Sequence, residues 1–283
     1  MTAAAFGLTG CTLNADVDHD GVDAPQPGPL ERPVGVAWVL GSGGPRGFVH
    51  VGVLKAFDEL GLKPDLIVGA SVGALVGSLR AAGLPAARIE TLALELQPTA
   101  MANLALFAEA RFSGAPVAAL VQSHSPVRLL EQMPWRMACA AVRRRDGAVV
   151  GFTRGDAGVA VQASAAIEGQ FAPVRIRGEL YVDPDWHAPL PVRLARSLGA
   201  RRVIAVDASA HEDRAPSGAE RYRDDDLKKR ALVRADARQA DLVLHPDFGY
   251  WVNFSRDFRE RCIEAGYRHT LVQAKRLREL HEI

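Results

Sequence analysis

The 283-residue chain is poor in cysteine, with only Cys11, Cys139 and Cys262. Their spacing matches no zinc pattern, and three cysteines do not make a disulfide framework. Cys139, in the run MACAAV, reads as a small buried hydrophobe, and Cys262, in RERCIEAG, as a helix residue. An excess of charge of either sign is also missing: 34 basic residues face 33 acidic ones. That balance excludes nucleic-acid binding through bulk charge. No apolar run reaches the roughly 18 residues that a transmembrane helix needs. Internal repeats are absent as well.

Apolar residues are plentiful, at 48% of the chain, so a sizeable core can be buried. Val34 to Leu40 is a short apolar run between Pro33 and a glycine cluster, and it reads as a buried strand. Val49, Val53, Leu54, Phe57 and Leu60 then recur at helical spacing, closed by Gly61. DLIVGAS is a second buried strand. Val72 to Ala82 is a helix of small residues, stopped by Gly83 and Pro85. Strand, glycine loop, helix, strand, tight turn, helix is the βαβα order of a parallel sheet with helices on its faces. Further on, residues 86–134 read as helical segments with a break at SHSP, and residues 135–177 as short strands and turns. Segments 200–209 and 239–246 read as strands, and 254–282 as one charged amphipathic helix. The charged stretch 210–230 reads as a solvated loop or lid leading into a helix.

Two glycine motifs carry chemistry. The first, Gly41-Ser42-Gly43-Gly44-Pro45-Arg46-Gly47, follows the first strand, the end at which open α/β sheets place their ligands. It lacks the Gly-Lys-Ser/Thr ending of a phosphate-binding loop. It is also no dinucleotide fingerprint, because its third glycine comes one place late and Asp65 precedes a strand instead of ending one. Bare backbone N–H groups can instead hold a developing oxyanion. Pro45 has none to offer, which leaves Gly43 and Gly44 as the donors. The second motif, Gly69-Ala70-Ser71-Val72-Gly73, is a G-x-S-x-G between an apolar strand and a helix. A serine on so sharp a turn takes a strained backbone. The glycines on either side give that turn room, and the hydroxyl is presented at a helix N-terminus.

GSGGPRG, then FVHVGVLKAFDELGL, then GASVG resembles the patatin-like phospholipase family. That family pairs a G-x-G-G-x-[KR]-G loop with a downstream G-x-S-x-G and a distant D-G-[GA]. VQASAAIEGQFAPVRIRGELYVD, PLPVRLARSLGARRVIAVDAS and ADLVLHPDFG extend the likeness over roughly residues 33–283. The resemblance implies an α/β fold of three layers, with a mostly parallel central sheet flanked by helices. It implies a serine acyl hydrolase acting on phospholipids or lysophospholipids, with no metal and no cofactor. Carried over by motif, Ser71 is the nucleophile and Asp183 the base of a Ser–Asp dyad. Gly43 and Gly44 form the oxyanion hole, Arg46 and Gly47 support the loop, and Gly69 and Gly73 shape the elbow.

The chain departs from the family where the base sits. D-G-[GA] is Asp183-Pro184-Asp185, and a proline usual upstream is Glu168. Pro184 pushes Asp183 towards an extended backbone, and Asp185 puts a second carboxylate near the base, which, if the two are close in space, would raise the base's pKa by like-charge repulsion. This departure is the ground for a rival reading, a catalytically impaired protein that binds lipid or a partner at the envelope. A Ser-His-Asp hydrolase using His187 or another histidine is a second rival. Asp183 as a plain turn aspartate is the bland alternative. Arg46 has two readings, positioning a lipid phosphate or acyl substrate, or anchoring its loop through a carboxylate, of which the structural one is preferred. His50 reads as a packed or capping histidine, and Arg143 to Asp146 as a solvated hairpin turn.

Near the N-terminus, Leu8-Thr9-Gly10-Cys11 resembles a bacterial lipobox, with Cys11 the lipid-attachment residue and a translation start further upstream. Residues 1–32 then read as a truncated signal and a flexible polar tether before a domain over 33–283. With the lipobox, the expected place is the bacterial cell envelope, at a membrane surface; without it, the cytoplasm.

Overall fold

The computed structural model describes residues 17–96 and 114–282. The strands are β1 (Asp18–His19), β2 (Gln26–Pro27), β3 (Val34–Leu40), β4 (Leu66–Ala70), β5 (Arg136–Arg143), β6 (Ala148–Arg154), β7 (Val174–Ile176), β8 (Glu179–Val182), β9 (Ala200–Val206) and β10 (Leu242–Leu244). They form one sheet in the order β1-β7-β8-β5-β4-β3-β9-β10, with β6 paired to β5 and β2 to β6. The five central strands β5, β4, β3, β9 and β10 run parallel. Buried on both faces, β3 and β4 are near-continuous apolar runs, as parallel strands between two helix layers must be.

Side chains alternate across each strand, so the two cores separate by residue parity. Over the body of β3, Val36, Trp38 and Leu40 join the larger core, and Ala37 and Val39 the smaller one. The larger core is closed by helices α1 (Phe48–Glu59), α2 (Val72–Ala81), α3 (Ala86–Glu95), α4 (Ala115–His124) and α5 (Ala157–Ser164). Helices α8 (Arg256–Val272) and α9 (Ala274–His281) complete that layer, with α1 packed along α8. The smaller core is closed by α6 (Val192–Ser197) and by Val233 of α7 (Arg223–Ala237). The α/β architecture of three layers agrees with the sequence reading.

One feature of the register decides where the site forms. Ala140 of β5 pairs with Ala70 of β4 on one edge and with Gly151 of β6 on the other. Two residues on, Val142 pairs with Val149 of β6 and with Val182 of β8. So β8 takes over, running antiparallel, the edge of β5 that β4 leaves. Continued by one residue, β4 brings Ser71 level with Ala141, and β8 brings Asp183 level with that same residue.

The structure differs from the sequence reading in four places. Residues 17–32 are not a tether: β1 pairs with β7, β2 pairs with β6, and Ala24 is buried. Two-residue edge strands carry no alternation, so polarity alone hid them. Segment 135–177, read as strands, contains helix α5, capped by Asp156, which accepts the Val159 N–H at 2.9 Å. The closing helix is two helices, broken at Gln273. Segment 210–230 contains two short 3-10 turns, Glu212–Arg214 and Glu220–Tyr222, ahead of α7. Residues 97–113, within the segment expected to be helical, lie outside the described residues. So does Cys11.

Candidate active site

Ser71 is the whole connection between β4 and α2. Its backbone sits at φ 54° and ψ −122°, a region that costs an L-residue roughly 1–3 kcal/mol. Glycine makes the turn feasible: a Cβ on Gly73 would lie 2.1 Å from the Leu40 carbonyl oxygen, and one on Gly69 would lie 2.5 Å from the Ala74 backbone. The Ser71 N–H donates to Ser164 Oγ at 2.9 Å, which ties the turn to the end of α5. The Ser71 carbonyl accepts from Ala74 and Leu75, which starts α2. The side chain is left at the C-terminal edge of the parallel strands.

Asp183 is buried at the end of β8, its N–H donating to the Ala166 carbonyl at 3.0 Å. Its backbone is extended, φ −59° and ψ 135°, as the following proline requires. Pro184 opens a 3-10 turn, and the Asp185 N–H caps it by donating to Asp183 Oδ1 at 2.8 Å. Asp183 Oδ2 is buried without a hydrogen bond of normal geometry. Burial first, then the like charge of Asp185, push the Asp183 pKa up to about 7. Hydrogen bonding from Ser71 and from the Asp185 amide, and the Lys229 ammonium, pull it down. The Ser71 hydroxyl therefore lies within reach of the carboxyl without being aligned on Oδ2. Such bonds commonly tighten only around a bound substrate. A carboxyl titrating near neutrality is suited to both taking and returning a proton.

The glycine loop leaves β3 beside this pair. Gly41 donates to the Val206 carbonyl at 3.0 Å and Ser42 to the Pro189 carbonyl at 2.8 Å. Gly43 and Gly44 are the next two amides. Among the described residues neither has a protein acceptor, and Gly44 takes φ 53°. His50 of α1 lies beneath the loop and donates its Nε2–H to the Gly41 carbonyl at 2.8 Å. Burial lowers its pKa to about 4, so it is a neutral structural donor. Gly47 packs on Val72, the residue after the serine; a Cβ there would lie 2.3 Å from Val72 Cγ1. Arg46 does anchor its loop, but through carbonyls instead of the carboxylate expected from sequence. It donates to Gly249 O at 3.3 Å and to Tyr250 O, and lies 5.7 Å from the centres of the Phe248 and Tyr250 rings.

An apolar cavity of about 360 Å³ starts at Gly44, Gly47 and Val72. It runs between α1, α2 and α3, walled by Phe48, Val51, Leu75, Val76, Leu79 and Leu92.

No hydrogen bond among the described residues joins a histidine to Ser71 or Asp183. His187 packs over Gly147 of the β5–β6 turn, with its Nδ1 buried and unpartnered. Glu168 is on the surface, 3.4 Å from Arg144. Arg143 closes the hairpin turn by pairing with Asp146 at 2.9 Å. No group of side chains among the described residues could hold a metal ion.

Sequence reasoning missed two side chains. Ser42 Oγ donates to Asp185 Oδ1. Lys229 of α7 reaches the same carboxylate, at 2.6 Å from Oδ1 and 2.8 Å from Oδ2. Lys229 lies in a charge run that reads as solvated, and nothing local signals a partner 44 residues away.

Among solved structures, VipD from Legionella pneumophila aligns over 94% of this chain and 71% of its own, with a TM-score of 0.51 and 14% identity, which shows the fold alone. An uncharacterized NTE family protein of Mycobacterium tuberculosis is 32% identical over 183 residues, 62% of this chain and 50% of the relative. Human patatin-like phospholipase domain-containing protein 6 is 29% identical over 197 residues, 63% of this chain and 14% of the relative. Lysophospholipase NTE1 of Mycosarcoma maydis is 29% identical over 194 residues, 64% of this chain and 10% of the relative. The chain therefore spans half or less of the length of these curated relatives. A family model described as patatin-like phospholipase matches residues 38–196, more than half of the sequence and the whole of the glycine loop, elbow and Asp183, and the chain belongs to that family.

Proposed function

We propose that the protein is a serine acyl hydrolase that cleaves lipid esters of the phospholipid or lysophospholipid class through Ser71 and Asp183. The observation that carries this reading is a serine in a strained strand-to-helix turn, level with a buried carboxyl that titrates near neutrality. In the first half-reaction, Asp183 takes the Ser71 proton as Ser71 Oγ attacks the ester carbonyl carbon. The Gly43 and Gly44 N–H groups hold the resulting oxyanion, each such donor contributing roughly 3 kcal/mol in the transition state. The tetrahedral intermediate collapses, Asp183 returns the proton to the leaving alcohol, and an acyl-enzyme remains. Water then gives a proton to Asp183 as it attacks the acyl-enzyme carbonyl; the second tetrahedral intermediate collapses, Asp183 returns that proton to the departing Ser71 oxygen, and the fatty acid is released.

The apolar cavity supports an acyl chain as the group transferred, because it starts at the oxyanion loop and is walled mainly by apolar side chains. Lysophospholipase NTE1 supports the same substrate class by its name. Membrane-surface action, with Cys11 lipidated and the protein held at the bacterial envelope, belongs to the same proposal. Metabolic labelling with a fatty-acid probe tests it: label lost in Cys11→Ser supports attachment there, and no label on the native chain ends that part. For catalysis, hydrolysis of a short-chain nitrophenyl ester and of a lysophospholipid is compared between the native protein, Ser71→Ala and Asp183→Asn. Turnover lost in both folded variants supports the dyad. Retention of turnover in Ser71→Ala would sink it.

A further inference from the structure

The Asp185 carboxylate is held from two other parts of the chain right beside the base. Asp185 sits two residues beyond Asp183, and its own N–H fixes Asp183 Oδ1 at 2.8 Å. Its carboxylate takes the Ser42 hydroxyl from the glycine loop and the Lys229 ammonium from α7. Three separate pieces of chain therefore meet on one carboxylate: the loop after β3, the turn after β8 and the helix after the charged 210–222 segment. Asp185 and Lys229 are each about one-fifth exposed (22% and 21%), so their attraction is only partly screened.

We propose that Lys229 and Asp185 are a positioning pair that holds the oxyanion loop against the base turn and keeps Asp183 in working order at neutral pH. This inference rests on the hydrolase reading above. Lys229 acts through Asp185 and touches no reacting atom. Without Lys229, the Asp185 charge is no longer balanced and repels the ionised form of Asp183. The charged or polar groups acting on Asp183 are Ser71 from the start of α2, Asp185 from its own turn and Lys229 from α7. Burial and the Asp185 carboxylate raise its pKa, while Ser71, the Asp185 N–H and the Lys229 charge lower it. The two members of the pair thus act with opposite sign. That opposition is the signature a purely structural clamp lacks.

The test is the Asp183 carboxyl titration, followed by carbon-13 NMR of the full chain and assigned with Asp183→Asn. Native protein is compared with Lys229→Met, Lys229→Arg and Asp185→Asn. Loss of the lysine charge should move the midpoint up by about one pH unit. Asp185→Asn should move it down, and Lys229→Arg should restore it. Ester hydrolysis gives the parallel readout: a midpoint moved from about 7 to about 8 slows Lys229→Met about fivefold at pH 7 and less than twofold at pH 9. Loss that is equal at both pH values, or midpoints that do not move with opposite sign in Lys229→Met and Asp185→Asn, would overturn the proposal. The NMR titration reads the pair whether or not the protein turns over, so failure of the hydrolase reading would show separately, as absent hydrolysis in the native chain.

Discussion

Asp183→Asn should stabilise the fold while abolishing turnover, and the size of the gain should depend on pH. Folding carries this carboxyl from an ordinary 3.8 to about 7, because burial and Asp185 disfavour its charge. The folded state therefore binds the proton more tightly than the unfolded chain. The resulting stability is fully present below about pH 4 and is lost as the pH rises towards 7. Above that range the native protein carries a constant penalty of about 4 kcal/mol, an upper bound set by the shift of about three units. Asparagine has no charge to bury and escapes the penalty. In urea unfolding at a series of pH values, the variant's stability relative to native protein should rise by roughly 2–3 kcal/mol between pH 5 and pH 8. The rise is the discriminating quantity, since any loss of the Asp185 cap or of local packing is the same at every pH. A stability difference that stays flat across that range would show that Asp183 keeps its ordinary pKa, and the case for a near-neutral base would fall with it.

Three further outcomes follow from the same geometry. Ser71→Gly should be more stable than Ser71→Ala by about 1 kcal/mol in thermal or urea unfolding, because only glycine occupies φ 54° without strain. Gly73→Ala should cost several kcal/mol and lose turnover, since its Cβ would meet the Leu40 carbonyl at 2.1 Å; circular dichroism and the nitrophenyl ester assay check both. Val76→Trp, which fills part of the apolar cavity, should shift preference from long-chain to short-chain esters by tenfold or more, read as a ratio of kcat/KM values.

Much of the fold was legible because its signals are local. The runs VGVAWVL and LIVGA are apolar throughout, as strands buried on both faces must be. Gly61 stops α1 at φ 68°. The elbow was legible for the same reason: Gly69 and Gly73 sit within two residues of the serine they serve. Asp183 was reached only through its place in a family motif. The physical cause of its position, β8 replacing β4 along one edge of β5, is a register among three strands that no local pattern records. Lys229 stayed hidden for a related reason. A lysine among charged neighbours on a helix has the same local pattern whether it faces solvent or Asp185. The pairings of residues 17–32 escaped because β1 and β2 are two residues long and polar. The partners of Arg46 are backbone carbonyls, which leave no trace in composition, so sequence pointed to a carboxylate instead.

The first measurement to make is labelling by a serine-reactive fluorophosphonate, with the modified residue mapped by mass spectrometry. Native protein and Asp183→Asn would be compared between pH 5 and pH 9. Modification at Ser71 alone is expected, with a rate that rises through about pH 7 in native protein and is slow and flat in Asp183→Asn. Labelling at another serine, or a Ser71 rate indifferent to Asp183→Asn, would contradict the Ser71–Asp183 dyad.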